Sequence, residues 1–326
     1  MPNIAGTLRR LVLAPSLASV SFAGRGFEIE PSDSTRRLEA IPRTVVCGFE
    51  WAIETRRISE LELRLELIEP ELRGFAYEGA AMALTVLDAT AGGSRTRELL
   101  SGKGAPHLLL AYIGIGFAMA RLPRARWRKV LPDLEPSVFH PVLSWLVVDG
   151  YGFDLAYFGA ERWIGRQEIP KPYPWQGSPG YFPRAVDQGI GRALWFVHGG
   201  RPSRVLDAVG AFAEARHEDL WAGVGLAATF AGGCGADELA ALAQAAGAHR
   251  AALGVGCVFA VRARTFAGHV PEHTELSALA LAGAGVGELA RIADETAVAE
   301  DGAAEPAYEL WRQRIRQRLH AIEPIG

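Results

Sequence analysis

Three carboxylates in this chain stand where an acid would have chemical consequences. Asp149 and Asp154 fall within the apolar, aromatic run from Trp145 to Phe158, and Asp187 opens a run that ends in Trp195 and Phe196. A carboxyl group among apolar side chains has a raised pKa and can act as a general acid or base near neutral pH. Side chains suited to holding a small molecule surround these three. Trp145, Tyr151 and Tyr157 accompany the first two, and Gln188, Arg192 and Trp195 accompany the third. Glu78 is another acid inside an apolar stretch, and His140, just before Pro141, belongs to the one residue type that ordinarily titrates near neutrality. The candidate catalytic residues are therefore Asp149, Asp154 and Asp187. The candidate substrate-binding residues are Glu78, His140, Trp145, Tyr151, Tyr157, Gln188, Arg192 and Trp195. A structural role stays open for each: a helix cap at Asp149, an Asp187–Arg192 ion pair between neighbouring helices, turn positions for the histidines.

Other chemistries find no foothold. There is no HExxH, no clustered Asp/His pair, no DDxxD-like acidic cluster and no Gly-x-Ser-x-Gly elbow, so neither a metal nor a cofactor is expected. Cys47, Cys234 and Cys257 are far apart, which argues for reduced thiols rather than a disulfide framework. A formal net charge of -3 gives no electrostatic case for nucleic acid. Arg9 and Arg10 precede a short apolar run, but Pro15 and Ser16 interrupt it, so the expected compartment is the cytoplasm. No run of 18 uncharged apolar residues predicts a membrane span.

The elements that would position these groups carry a repeat. Gly-x-Gly pairs recur at Gly114/Gly116, Gly150/Gly152, Gly189/Gly191, Gly223/Gly225, Gly254/Gly256 and Gly285/Gly287, with an earlier member at Gly79/Ala81. The steps are 35, 36, 39, 34, 31 and 31 residues, in the range of stacked helical repeats. Each pair follows a large residue and precedes an apolar run. A dinucleotide loop does not recur six times inside apolar helical text, so the pair reads as a packing element. Each glycine costs a helix about 1 kcal/mol relative to alanine. Positions two apart on a helix face different ways, so the expectation is that each pair relieves crowding against two neighbours.

Between the pairs lie partner helices. Ser203 to Ala215 has helical apolar spacing after Pro202, Ala236 to Ala246 is a strong helix former stopped by Gly247, and Glu275 to Leu281 precedes Gly283. The predicted fold is all-α: tandem helix pairs in a tetratricopeptide- or Sel1-like α-solenoid or toroid, with a less regular N-terminal segment. The expected organisation is an N-terminal segment over 1–72, a repeat array over 73–302 and a capping helix over 303–326. Arg43 to Trp51 alternates and could include a strand. Glu60 to Leu67 alternates strictly but consists of helix formers, and helix is favoured there. Five prolines between Glu168 and Pro183 predict a rigid loop.

Two central runs, Pro141 to Asp154 and Asp187 to Phe196, together with Phe22 to Phe27, are similar to a bacterial family of unknown function called UnbL-like. Its members are typically encoded beside enediyne polyketide synthases. The resemblance spans roughly residues 7–320, supplies no established catalytic residues, and implies a pathway rather than a reaction: enediyne-type biosynthesis, with a polyketide-derived polyene or related apolar small molecule as partner. Three roles follow as expectations. The chain could be an enzyme acting on the polyene, a non-catalytic carrier that shields it, or a helical-repeat scaffold that docks pathway enzymes.

Overall fold

The computed structural model describes residues 15–321 apart from Pro136, Val138 and Ala303. The arginines of the leader-like run, Arg9 and Arg10, lie outside the described residues. Every regular element among the described residues is helical. Contacts group the chain into two compact units, Met1–Glu28 with Glu39–Tyr151, and Ile29–Leu38 with Gly152–Gly326.

The first unit contains most of α1 (Asp33–Glu54), then α2 (Ile58–Leu65), α3 (Pro70–Ala91), α4 (Arg95–Ser101), α5 (Leu108–Arg121) and the first half of α6 (Trp145–Phe158). The alternating stretches are therefore helices, not strands. Leu61 and Leu65 are four apart and buried, whereas Leu63 and Leu67 are exposed, which is a helical division of an alternating sequence. Pro70 starts α3 at a position where its missing N–H costs nothing. In α5 every residue from Leu108 to Met119 is buried, as suits a helix that is apolar all round.

The glycines explain how such a helix is enclosed. A Cβ added to Gly114 would lie 2.0 Å from the Glu78 carbonyl oxygen of α3, and one on Gly116 would lie 2.1 Å from the Val147 carbonyl oxygen of α6. Gly79 faces the Val45 carbonyl of α1, and Gly150 faces the Ile113 carbonyl of α5, at 1.8 and 2.2 Å. No real side chain tolerates such separations, so backbone meets backbone on both sides of the helix. At that range Cα–H···O contacts replace side-chain packing. Gly74 meets Leu110 while Gly114 meets Glu78. Both pairings are offset by 36 residues, so α3 and α5 run in the same direction, and α4 lies in the connection that returns the chain between them.

The second unit contains the rest of α6, then α7 (Phe182–Val197), α8 (Pro202–Gly210), α9 (Glu214–Ala231), α10 (Ala236–Ala245), α11 (Arg250–Phe266), α12 (Glu272–Ser277), α13 (Val286–Glu295) and α14 (Ala307–His320). π-helical turns occupy Glu161–Gly165 and Ala278–Ala282. The same contacts recur. Gly152 faces Val186, Gly191 faces Leu220, Gly223 faces Gln188 and Gly225 faces Leu253, each at a carbonyl oxygen. Ala222 meets Gly256, and further along both helices the Phe230 carbonyl accepts from Arg264, so α9 and α11 run in the same direction. The helix expected over Ser203 to Ala215 stops at Gly210 and a new one starts at Glu214.

One expected pair fails. Gly285 and Gly287 have no neighbour within 4 Å of an added Cβ; Gly285 precedes α13 as its N-cap and Gly287 lies in its first turn. The Pro-rich segment is irregular as expected, and it buries Trp175. No single helix among the described residues is long and apolar enough to cross a membrane; Glu272–Ala282 and Val286–Glu295 pass that test only as a pair bent by 67°.

Candidate functional site

The central carboxylates are buried as the sequence suggested. Asp149 is 1% exposed, Asp154 6% and Asp187 7%. Glu78, Gln188, Arg192, Trp145, Tyr157 and Trp195 are buried too, and Tyr151 and His140 are half-buried.

In the first unit the structure joins His140 to a residue that the sequence did not single out. The Tyr112 phenol lies 2.9 Å from His140 Nδ1. Burial pushes the Tyr112 phenol well above its ordinary value and lowers His140, the latter opposed by Asp133 and Glu135. The hydrogen bond therefore joins a protonated phenol to a neutral imidazole, with the imidazole tautomer setting which group donates. Tyr77 repeats the device one helix earlier, donating to Glu66 at 3.1 Å and stacking on His107. Tyr151 packs edge-on against Trp127 at 4.9 Å between ring centroids. Glu78 serves this unit through its backbone, since its carbonyl lies beneath Gly114.

In the second unit the expected Asp187–Arg192 pair is not formed. Both residues lie on α7, where they cannot bridge neighbouring helices. Arg216 of α9 instead holds both carboxylate oxygens of Asp187, at 2.6 and 2.9 Å, and donates to the Gln167 carbonyl at 2.9 Å. Burial raises the Asp187 carboxyl, and the two Arg216 bonds oppose that rise. Arg192 lies over the Phe153 ring, 4.9 Å from its centroid. Phe153 in turn stacks on Tyr157 at 5.5 Å, with planes 13° apart, and meets the edge of Phe196 at 5.5 Å. Residues 153 and 157 are one helical turn apart, which is what lets their rings align. Phe153 and Phe158 are half-buried, so this aromatic cluster reaches the surface of α6. Trp195 is not part of it; its indole N–H donates to the Gly232 carbonyl at 2.7 Å and ties α7 to the end of α9.

Gln188 belongs to a different arrangement. Its amide nitrogen donates to Tyr181 and Asp219, and its oxygen accepts from Tyr308, all at 3.1 Å. At the centre of this network Arg312 Nη1 donates to Tyr181, Asp219 and Glu309 at 2.8, 2.7 and 2.6 Å. Arg184 bonds Asp219 at 2.8 Å, and Arg316 bonds Glu309 at 2.8 Å. Burial alone would raise the Asp219 carboxyl, but Arg312 and Arg184 outweigh it and hold the group below its ordinary value. Sequence reading missed Asp219, Glu309 and Arg312. Their shared signal was a charged residue on the inward stripe of a helix, and in α14 the abundance of surface arginines hid it.

Among the described residues no group of three or more His, Cys, Asp or Glu side chains is placed to hold a metal ion. All three cysteines are free. Burial pushes the Cys234 and Cys257 thiols up to about 12 from 9.0. A three-unit rise cuts the thiolate fraction about a thousandfold. Native protein at pH 8 should therefore release no colour from these two thiols with Ellman's reagent over minutes, and full colour in urea. Rapid native labelling of Cys234 would show that its surroundings open.

Fold and site together define an all-helical protein in which apolar helices meet backbone to backbone at paired glycines, around buried carboxylate–arginine and tyrosine–histidine contacts. A family model described as "Protein of unknown function (DUF1702)" matches residues 4–319, and the chain belongs to that family. No curated protein and no solved structure matches it.

Proposed function

We propose that this protein serves enediyne-type natural-product biosynthesis as a helical-repeat protein that binds a polyketide-derived polyene. The pathway rests on the resemblance carried by Pro141 to Asp154 and Asp187 to Phe196. Tandem helix pairs of α-solenoid type are the architecture we infer from the recurring glycine contacts. The observation that carries the binding reading is the aromatic cluster of Phe153, Tyr157 and Phe196, with Arg192 over the Phe153 face. A conjugated polyene is a flat, polarisable chain, and offset aromatic faces that reach the surface are suited to it. Carrying is favoured over acid–base chemistry at Asp187, whose two oxygens are engaged by Arg216.

The test is an absorbance titration of the purified protein with a synthase-derived conjugated polyene, followed by mass spectrometry. The expected result is a saturable shift of the polyene bands at unchanged mass. Phe153→Ala should weaken the association at least about fivefold, the worth of one aromatic contact of about 1 kcal/mol. Loss of the bands with a new mass would replace the carrier by an enzyme and direct attention to Asp149 and Asp154. No spectral change would overturn the reading in favour of a scaffold.

A further inference from the structure

The last of the glycine-paired helices is out of register with the others. In α3, α5, α6 and α9 the glycines that face the preceding helix are Gly79, Gly114, Gly150 and Gly223. Two residues before each stands a fully buried side chain: Tyr77, Tyr112, Val148 and Trp221. In α11 the glycine facing the preceding helix is Gly256, whose added Cβ would lie 1.9 Å from the Ala222 carbonyl oxygen. The position two residues before it is Gly254. Where the other helices carry a large side chain, this one carries none, and an added Cβ would meet the Leu319 side chain at 2.8 Å.

Leu319 takes the place of the missing side chain, and beside it a cleft of about 320 Å³ is lined by Gly254 and walled by Leu281, Ala282 and Leu319. A second cleft of about 460 Å³ shares Ala248, Ala251 and His320 with the first. Its other lining is polar and includes Glu218, His249, Gln313, Arg316 and Gln317. Both volumes fall in the range of small-molecule sites. None of the site residues read from the sequence lines either cleft.

The charges at the polar end are unequal. Two guanidinium groups, Arg250 and Arg316, line the clefts against the single carboxylate of Glu218, and the imidazoles of His249 and His320 lie beside them. Arg316 is 15% exposed, pairs with Glu218 through one nitrogen and shares Glu309 with Arg312 and Arg184 through the other, so Arg250 is the lining cation that lies outside this network.

We propose that the two clefts form one site for an anionic amphiphile, with an apolar chain beside Gly254 against Leu281, Ala282 and Leu319, and a carboxylate toward Arg250 and His320. This site is separate from the aromatic face at Phe153 and does not depend on the polyene reading.

The experiment is calorimetric titration of the full chain at neutral pH with decanoate, decanol and decyltrimethylammonium. Decanoate should bind one to one, with decanol at least tenfold weaker and the ammonium weaker still. Ala251 lines both clefts and is half-exposed, so Ala251→Trp fills them from outside the core. It should cut decanoate affinity at least tenfold while the melting temperature and any polyene band shift stay as in the parent. His320→Gln, at an exposed position, should weaken decanoate severalfold and leave decanol unchanged. Unaltered decanoate binding in Ala251→Trp, or equal binding of the ammonium, would overturn the proposal. So would absence of decanoate binding, or binding that arises only after residues 322–326 are deleted, which would assign the groove to the end of the chain itself.

Discussion

Replacing Arg312 with leucine should cost about 3–5 kcal/mol of unfolding free energy, the range for removing one partner of a buried ion pair. The guanidinium is 1% exposed, and one of its nitrogens serves Tyr181, Asp219 and Glu309. Its loss leaves the buried Asp219 carboxylate with Arg184 alone among cations, and Glu309 with Arg184 and Arg316 near the rim. A domain whose whole stability is about 5–15 kcal/mol would be left near its threshold. Urea denaturation with an unchanged slope would read the difference directly. Asp219→Ala should cost a similar amount, and the double variant less than the sum, because each change removes the other's burden. A loss under about 1 kcal/mol for Arg312→Leu would mean that α14 is held by its apolar contacts alone.

The same network fixes a direction for acid sensitivity. Asp219 has a folded-state value below its ordinary 3.8. Its contribution to stability is therefore complete above the unfolded value and is lost as pH falls through the folded one. The parent should lose stability on going below about pH 4, and Asp219→Asn should show a shallower loss there. If the two acid profiles ran parallel, Asp219 would not carry the dependence.

How far the sequence discloses this structure depends on what each signal is made of. The glycine pairs were legible because a repeated cost of helix propensity demands a repeated return, and that return is backbone contact on two sides at Gly114/Gly116 and Gly223/Gly225. Gly285/Gly287 shares the spelling but not the setting, since nothing lies within 4 Å of a Cβ added at either glycine. Period alone could not distinguish the two cases. The alternation of Glu60 to Leu67 suited a strand, yet residues that favour helix and a helix-sided burial pattern won. Burial of Asp149, Asp154 and Asp187 followed from their apolar neighbours. Their partners did not follow, because Arg216 lies 29 residues from Asp187 and reaches it only when α9 packs beside α7. The sequence neighbours of Gln188 suggest substrate binding but carry no sign of its hydrogen-bond partners, Tyr181, Asp219 and Tyr308. Side-chain networks of this kind join residues up to 131 positions apart, as Arg312 and Tyr181 are. No local pattern encodes such a distance.

Adding a single methyl group at Gly225 should be as damaging as removing Arg312. The new Cβ would stand 1.9 Å from the Leu253 carbonyl oxygen of α11 and 2.8 Å from its carbon. Neither is the end of a flexible side chain, so relief requires moving one helix backbone away from another. Oppositely placed, Gly223 already presses its Cα against the Gln188 carbonyl of α7. The helix cannot retreat from one neighbour without being driven into the other. Overpacking a core usually costs about 1–3 kcal/mol, and more where backbone must shift. A loss of at least about 3 kcal/mol is therefore expected for Gly225→Ala, despite the gain of about 1 kcal/mol that alanine brings to a helix interior. Gly287→Ala supplies the contrast. It lies in the first turn of α13 with nothing within 4 Å of an added Cβ, so the same substitution should leave stability unchanged or raise it by up to about 1 kcal/mol. Thermal melts of the two variants decide the point. Equal melting temperatures would mean that the helices slide apart at little cost, and the glycine pairs would then have to be explained by something other than close packing.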